Sequence, residues 1–247
     1  MGGRIMTRAR KALLTTLAIV VIIVSGLVLA APSIQRSFFY PKPNGLPPVV
    51  DQTTEQLLAR LQAVLETNAP VVASVLQPGL PDEQIVALES RGGFRLSDDL
   101  RALYRWHNGI ARTSAIGLLA GERFVPLDEI VQEKSLVGQQ VASGSRFQRA
   151  AYFVFAGHRK GWIHVLDDGA GDGYFYDPNR TDVEGAFFYH FAENGHYLWF
   201  PSVRNFLAGV IECYESRALR SGADGKSLDE DIERTQKIWE RFARGSE

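Results

Sequence analysis

The hydrophobic period changes several times along the 247 residues. An unbroken uncharged stretch, 12–31, comes first, and helical stripes with apolar residues three and four apart follow it. Thr53 and Gln56 have the spacing of a capping box, ahead of a stripe of Leu57, Leu58, Leu61, Val64 and Leu65. A second helix is predicted from Pro81 through Ile85 and Leu88 to a stop at Gly92-Gly93. A third starts at Ser97, has Asp98 and Asp99 in the first turn where the helix dipole favours them, and is expected to end at Asn108-Gly109. Its stripe is Leu100, Leu103, Tyr104 and His107. A hairpin of 116–119 and 123–125 is predicted next, and a helix opening at Pro126 with Leu127, Ile130 and Val131.

From Tyr152 the period shortens. The runs 152–155, 161–166, 173–177 and 187–191 are aromatic-rich and β-prone, and glycine- and aspartate-rich turns separate them. The loop DDGAGDG, 167–173, has the composition of a hairpin. Ser202 then caps a stripe of Val203, Phe206, Leu207, Val210, Ile211 and Tyr214. A polar linker is expected over 221–226, with a capping box at Ser227 and Glu230 before Ile232, Trp239 and Phe242. Helices, then an antiparallel sheet, then helices define an α+β fold.

The first stretch has a different solvent. Twenty apolar residues in a helix span about 30 Å, the thickness of a bilayer's hydrocarbon core. Arg4, Arg8, Arg10 and Lys11 precede it, and no acidic residue occurs before Asp51. The positive-inside rule therefore expects residues 1–11 in the cytoplasm, a transmembrane signal anchor over 12–31 and the body outside. Cleavage before Ala31, releasing a secreted protein, is the alternative, although the run exceeds the usual apolar core of a signal peptide. Pro41, Pro43, Pro47 and Pro48 make 32–50 a stiff stalk, followed by a domain over 51–221 and a C-terminal helix within 222–247.

Charge and chemistry narrow the function. A net charge of −1 with scattered Lys and Arg gives no field for nucleic acid. The single cysteine, Cys213, excludes an intrachain disulfide and reads as an inert, half-buried thiol. His107 reads as a helix-terminal cap, and the other histidines lack zinc spacing, so neither metal nor cofactor is expected. Asp167, Asp168, Asp172 and Asp177 are the most suggestive cluster. A calcium loop counted from Asp168 would put Ala170 at its third place and Asn179 at its twelfth, where oxygen ligands are required. Turn formation is the leading role for these aspartates, and a partner-binding acidic loop comes second. The aromatic residues Trp162, Tyr174, Tyr176, Phe187 and Tyr189 are expected mainly in sheet packing.

In order and spacing these pieces resemble the SUKH superfamily, which includes the fungal cell-wall assembly regulator and many bacterial immunity proteins. Leu96, Leu100, Tyr104, Asn108 and Gly109 fill the places of the family's leucine–proline, leucine, tyrosine, asparagine–glycine helix, with Ser97 where proline is usual. Residues 124–130 resemble its leucine–proline–leucine segment, 167–179 its glycine–aspartate–glycine hairpin, and 201–211 its terminal serine–phenylalanine–leucine helix. The resemblance implies an α+β domain without catalysis that binds another protein, a toxin or an envelope component, by occlusion or scaffolding. The outward topology favours an envelope partner over a cytoplasmic nuclease. Trp106, Asn108, Asp168, Asp172 and Tyr174 are the binding candidates, since interfaces favour aromatic and polar anchors. The competing expectation is an envelope hydrolase with Asp168 and Asp172 as its carboxylate pair.

Overall fold

The computed structural model describes residues 50–145, 161–178, 187–190 and 197–245. The expected membrane span at 12–31, the stalk up to residue 49 and the run 152–155 lie outside the described residues. Among the described residues no helix is long and apolar enough to cross a membrane.

Helix α1 (Thr54–Asn68) starts at the expected capping box: Thr53 Oγ1 accepts from Gln56 N at 3.3 Å, and Gln56 Oε1 accepts from Thr53 N at 2.9 Å. A short α2 (Pro70–Ala73) and strand β1 (Leu76–Pro78) follow. Helix α3 (Asp82–Gly92) stops at Gly93 in the left-handed region, with φ +66°. Helix α4 (Asp98–Trp106) is capped by Ser97, whose hydroxyl accepts from Leu100 N.

Asn108-Gly109 does not stop the helix, which has already ended with His107 in extended backbone at φ −148°, ψ 144°. His107–Ile110 is strand β2, antiparallel to β1. Gly109 is needed within it for a different reason: φ is +74°, and a Cβ would sit 2.6 Å from Pro126 N and 2.7 Å from Phe124 O.

Strand β3 (Arg123–Phe124) pairs with β4 in the main sheet. Of the expected local hairpin only a bridge between Leu119 and Glu122 forms. Helix α5 (Leu127–Ser143) leads to β4 (Ile163–Asp167), β5 (Gly173–Tyr176), β6 (Phe187–His190) and β7 (Tyr197–Phe200). Helix α6 (Val203–Glu215) starts at the Ser202 cap. The expected polar linker is a second hairpin, β8 (Leu219–Ser221) against β9 (Leu228–Glu230). Asp231, not Ser227, caps α7 (Ile232–Phe242), and β10 (Arg244–Gly245) follows it. The α+β class is confirmed: an antiparallel sheet of order β10-β7-β6-β5-β4-β3 with helices packed on it.

Cross-strand register puts Leu166, Tyr174 and Tyr189 in one row and Tyr176, Phe187 and Phe200 in the next. This face receives Phe206 of α6, whose ring lies 4.6 Å from Phe187, 5.0 Å from Tyr174 and 5.4 Å from Phe200. Trp239 of α7 stacks on Phe206 at 5.9 Å. On the opposite face Trp162 meets Phe188 at 4.6 Å and His190 at 5.5 Å, and all three are buried.

Helices α3 and α4 are joined by a buried ion pair. Arg101 Nη2 donates to both oxygens of Glu89 at 2.9 Å, and Glu89 Oε1 also accepts from Leu96 N at 2.7 Å. The two side chains are 14% and 9% exposed, against 46% and 38% for the Arg60–Glu215 pair joining α1 to α6. Removing one partner of a buried pair strands a desolvated charge. Arg101→Ala is expected to cost about 3–5 kcal/mol in urea unfolding, and Arg60→Ala below about 1 kcal/mol; equal losses would contradict this difference.

Candidate functional site

The β4–β5 hairpin is built by Asp168. Its Oδ1 accepts from the backbone N–H groups of Ala170, Gly171 and Asp172 at 2.8, 3.1 and 3.0 Å, while Asp168 N donates to Asp172 O at 3.3 Å. Three donors on one carboxylate oxygen close the loop like a small nest. Gly169 and Gly171 supply the positive φ it requires, +81° and +110°. Asp168 through Gly171 are all exposed, so the loop is both ordered by its own hydrogen bonds and presented to water. At its base, His164 stacks on Phe175 at 4.1 Å and has Nε2 3.3 Å from Asp172 O. Burial holds its imidazole below the usual histidine value, against the pull of Glu133 and Asp167.

The other aspartates do different things. Asp167 belongs to β4, where Arg123 Nη2 donates to its Oδ2 at 2.8 Å. The same guanidinium holds Glu129 of α5 at 3.0 Å and donates to Ile110 O of β2 at 2.9 Å. Arg123 thus joins three elements around β3, and only 11% of its side chain is exposed. Asp177 is buried.

Of the binding candidates, Asp168 is exposed and Asp172 half-buried on the hairpin. Tyr174 must be withdrawn as a surface anchor. It is 4% exposed, with its ring among Phe187, Phe200, Phe206 and Trp239, because the alternation that carries Leu166 into the core carries Tyr174 with it. Trp106 and Asn108 are half-buried, and their hydrogen bonds go elsewhere. Trp106 Nε1 donates to Gln62 Oε1 of α1 at 3.1 Å. Asn108 Oδ1 accepts from Leu127 N at 2.9 Å, capping α5 across 19 residues. His107 is the C-cap of α4 through its backbone N–H, which donates to Leu103 O, but its imidazole does not cap the helix: Nδ1 lies 2.7 Å from Gln77 O and Nε2 3.0 Å from Gln62 Oε1, tying β1 to α1. Cys213 is fully buried rather than half-buried, and burial pushes its thiol up to about 12.

Glu122 is the residue that sequence reading missed. Its own segment offers no signal, because it stands 46 residues before Asp168 and only strand pairing joins them. Arg123 pairs with Asp167, so Glu122 comes next to Asp168, and Asp167 opposite Gly173 brings in Asp172. Glu122 Oε2 is sealed from solvent and has no hydrogen-bond partner, while the carboxyl bonds the Tyr189 hydroxyl. Burial pushes its pKa from 4.5 to about 8; the Tyr189 bond opposes this, and Asp168, Glu230 and Asp172 add to it. Burial and Glu122 in turn push the Tyr189 hydroxyl up. Among the described residues no group of three or more His, Cys, Asp or Glu is arranged to hold a metal ion.

Helices α3 to α6, the hairpin and the Asn108 cap occupy the stretch that a family comparison singles out: residues 79–209 match the model of the SMI1/KNR4 family (SUKH-1), just over half of the chain. The chain belongs to the SMI1/KNR4 family. The match begins between β1 and α3 and ends within α6. Helix α1, the β8–β9 hairpin and α7 therefore lie outside the SMI1/KNR4 region, although α1 and α7 both pack on α6. No curated protein matches the chain. At the level of the family, SUKH domains bind other proteins and are generally non-enzymatic immunity proteins.

Glu122 makes stability fall with pH. Below about 4.5 the folded and unfolded chains both carry its proton; between about 4.5 and about 8 only the folded chain does. Stability should therefore drop across that window by about 1.4 kcal/mol per pH unit and level off above it. Urea titrations of Glu122→Gln should lack this component, and identical pH profiles for the two proteins would refute it.

Proposed function

We propose that this protein is a membrane-anchored SUKH-type binding domain that occludes or scaffolds another protein, a toxin or an envelope component, through the hairpin end of its sheet. One observation carries the choice of surface. The Asp168 loop is held by its own backbone donors and exposed along 168–171, so it can meet a partner with little ordering cost. Family membership supports protein binding in general. The basic residues before an apolar run of bilayer length support anchoring through 12–31, with the N-terminus cytoplasmic and the domain outside.

A hydrolase has one observation in its favour: Glu122 is a desolvated carboxyl beside Asp168 and Asp172, as acid catalysis requires. Two features weigh against it. Asp168 Oδ1 is committed to three backbone donors, and Glu122 Oε2 is sealed where a substrate oxygen would have to reach it.

Both parts of the proposal can be read from one preparation. Full-length chain carrying a photo-crosslinking amino acid at Ala170 should stay in carbonate-washed membranes and trap a discrete protein on irradiation. The same label at Glu83 on α3 should trap none. A soluble product beginning near Ala31 would overturn the anchor, and trapping only from position 83 would overturn the hairpin surface.

A further inference from the structure

Gln62, Trp106 and His107 meet where α1 touches the end of α4. Gln62 Oε1 lies 3.1 Å from Trp106 Nε1 and 3.0 Å from His107 Nε2, and Gln62 Nε2 donates to Glu66 Oε1 at 2.7 Å. On its other side the imidazole has Nδ1 2.7 Å from Gln77 O of β1. Gln62, Gln77, Trp106 and His107 are all half-buried.

Chemistry alone orients this contact. An indole N–H only donates, and a carboxylate only accepts. Trp106 therefore requires the oxygen of the Gln62 amide on its side, and Glu66 requires the nitrogen on the other. A flipped amide would set N–H against N–H at Trp106 and oxygen against oxygen at Glu66. With the amide fixed, His107 Nε2 faces an oxygen that cannot donate. Nδ1 faces a backbone carbonyl, which cannot donate either. A neutral imidazole has one N–H and one lone pair, so it satisfies one of these oxygens and turns a lone pair on the other. Only the doubly protonated ring satisfies both.

We infer that His107 is held as imidazolium in the folded protein at pH 7, and that its second proton clamps α1 to β2. Helix α1 and β1 precede the family match at residue 79 and His107 lies inside it, so the clamp joins elements outside the match to the domain within it. On deprotonation the Nε2 bond is the one released, since Gln62 Oε1 still has the Trp106 N–H, while the shorter bond to Gln77 O holds hydrogen on Nδ1. Charged groups on the surrounding elements have other partners. Glu66 of α1 accepts from Gln62, Arg105 of α4 pairs with Asp82 of α3 at 2.7 Å, and Asp128 of α5 accepts from Asn108 Nδ2 at 3.5 Å. Arg123 of β3 holds Asp167 and Glu129. Among the described residues none of these groups bonds the imidazole, so the two oxygens decide its state. The folded chain thus keeps a proton that an ordinary histidine of the unfolded chain gives up near pH 6.5. The clamp is at full strength below that pH and is lost as pH rises through the folded transition.

The test is long-range proton–nitrogen NMR of the full-length chain in non-ionic detergent, with nitrogen-15 in the histidine rings. His107→Gln assigns the signal by its loss. An ordinary histidine is about one-quarter protonated at pH 7, whereas His107 should show two protonated nitrogens in most molecules. Gln62→Leu removes the oxygen facing Nε2 and should return the ring at pH 7 to a mainly neutral form with hydrogen on Nδ1. A mainly neutral ring in the unaltered protein, or equal protonation in Gln62→Leu, would overturn the inference. Urea midpoints give a second reading, taken in Glu122→Gln so that Glu122 adds no pH dependence. They should fall as pH rises above about 6.5, and adding His107→Gln should remove that fall. The same slope with and without His107 would equally overturn the clamp.

Discussion

The aromatic layer between the sheet and α6 is the contact on which the rest of the molecule depends. Tyr174, Phe187 and Phe200 leave three neighbouring strands and close on Phe206, with Trp239 stacked behind it. Each ring buried this way contributes about 2–3 kcal/mol, and together they fix which face of every strand points inward. Once that is set, the sheet's broad surfaces are committed to packing. Trp162, Phe188 and His190 commit the opposite face too. Its hairpin end, where a chain reversal brings polar residues out of the packing, is exposed along 168–171.

The same constraint explains the electrostatics. Arg123 draws β2, β4 and α5 together at the sheet's edge, and Glu89 with Arg101 does so for α3 and α4. Both are charges kept in the fold by hydrogen-bonded partners, which is the condition for burying them. Glu122 departs from that pattern. It follows the strand pairing into a place where its Oε2 has no donor, and burial pushes its pKa up instead.

Much of this fold was legible because its signals were local. The capping box at Thr53, the caps at Ser97 and Ser202, the glycine stop at Gly93 and the strands beginning near Ile163, Gly173 and Phe187 each needed only a few consecutive residues. The resemblance draws on the order and spacing of such local pieces between Leu96 and residue 211, and it agrees with the family match over 79–209. The misreadings are non-local. Asn108-Gly109 has the composition of a helix stop, yet β1 recruits it as a strand and α5 takes its side chain as a cap. Residues 221–226 read as a linker because β8 and β9 are only three residues each. Tyr174 stands among the binding candidates because the run 173–177 does not tell which of its faces will be covered. Glu122 gives no signal in the sequence, since no pattern in its own segment foretells a neighbour 46 residues away.

Strand register delivering a neutral carboxylic acid to an acidic surface is the claim on which the functional account turns. It can be observed directly in protein labelled with carbon-13 at the glutamate side-chain carboxyls, by following their shifts with pH. The account predicts one carboxyl that titrates near pH 8, well apart from the exposed glutamates, and that disappears from the spectrum of Glu122→Gln. A spectrum in which every glutamate carboxyl titrates below about pH 5 would contradict it.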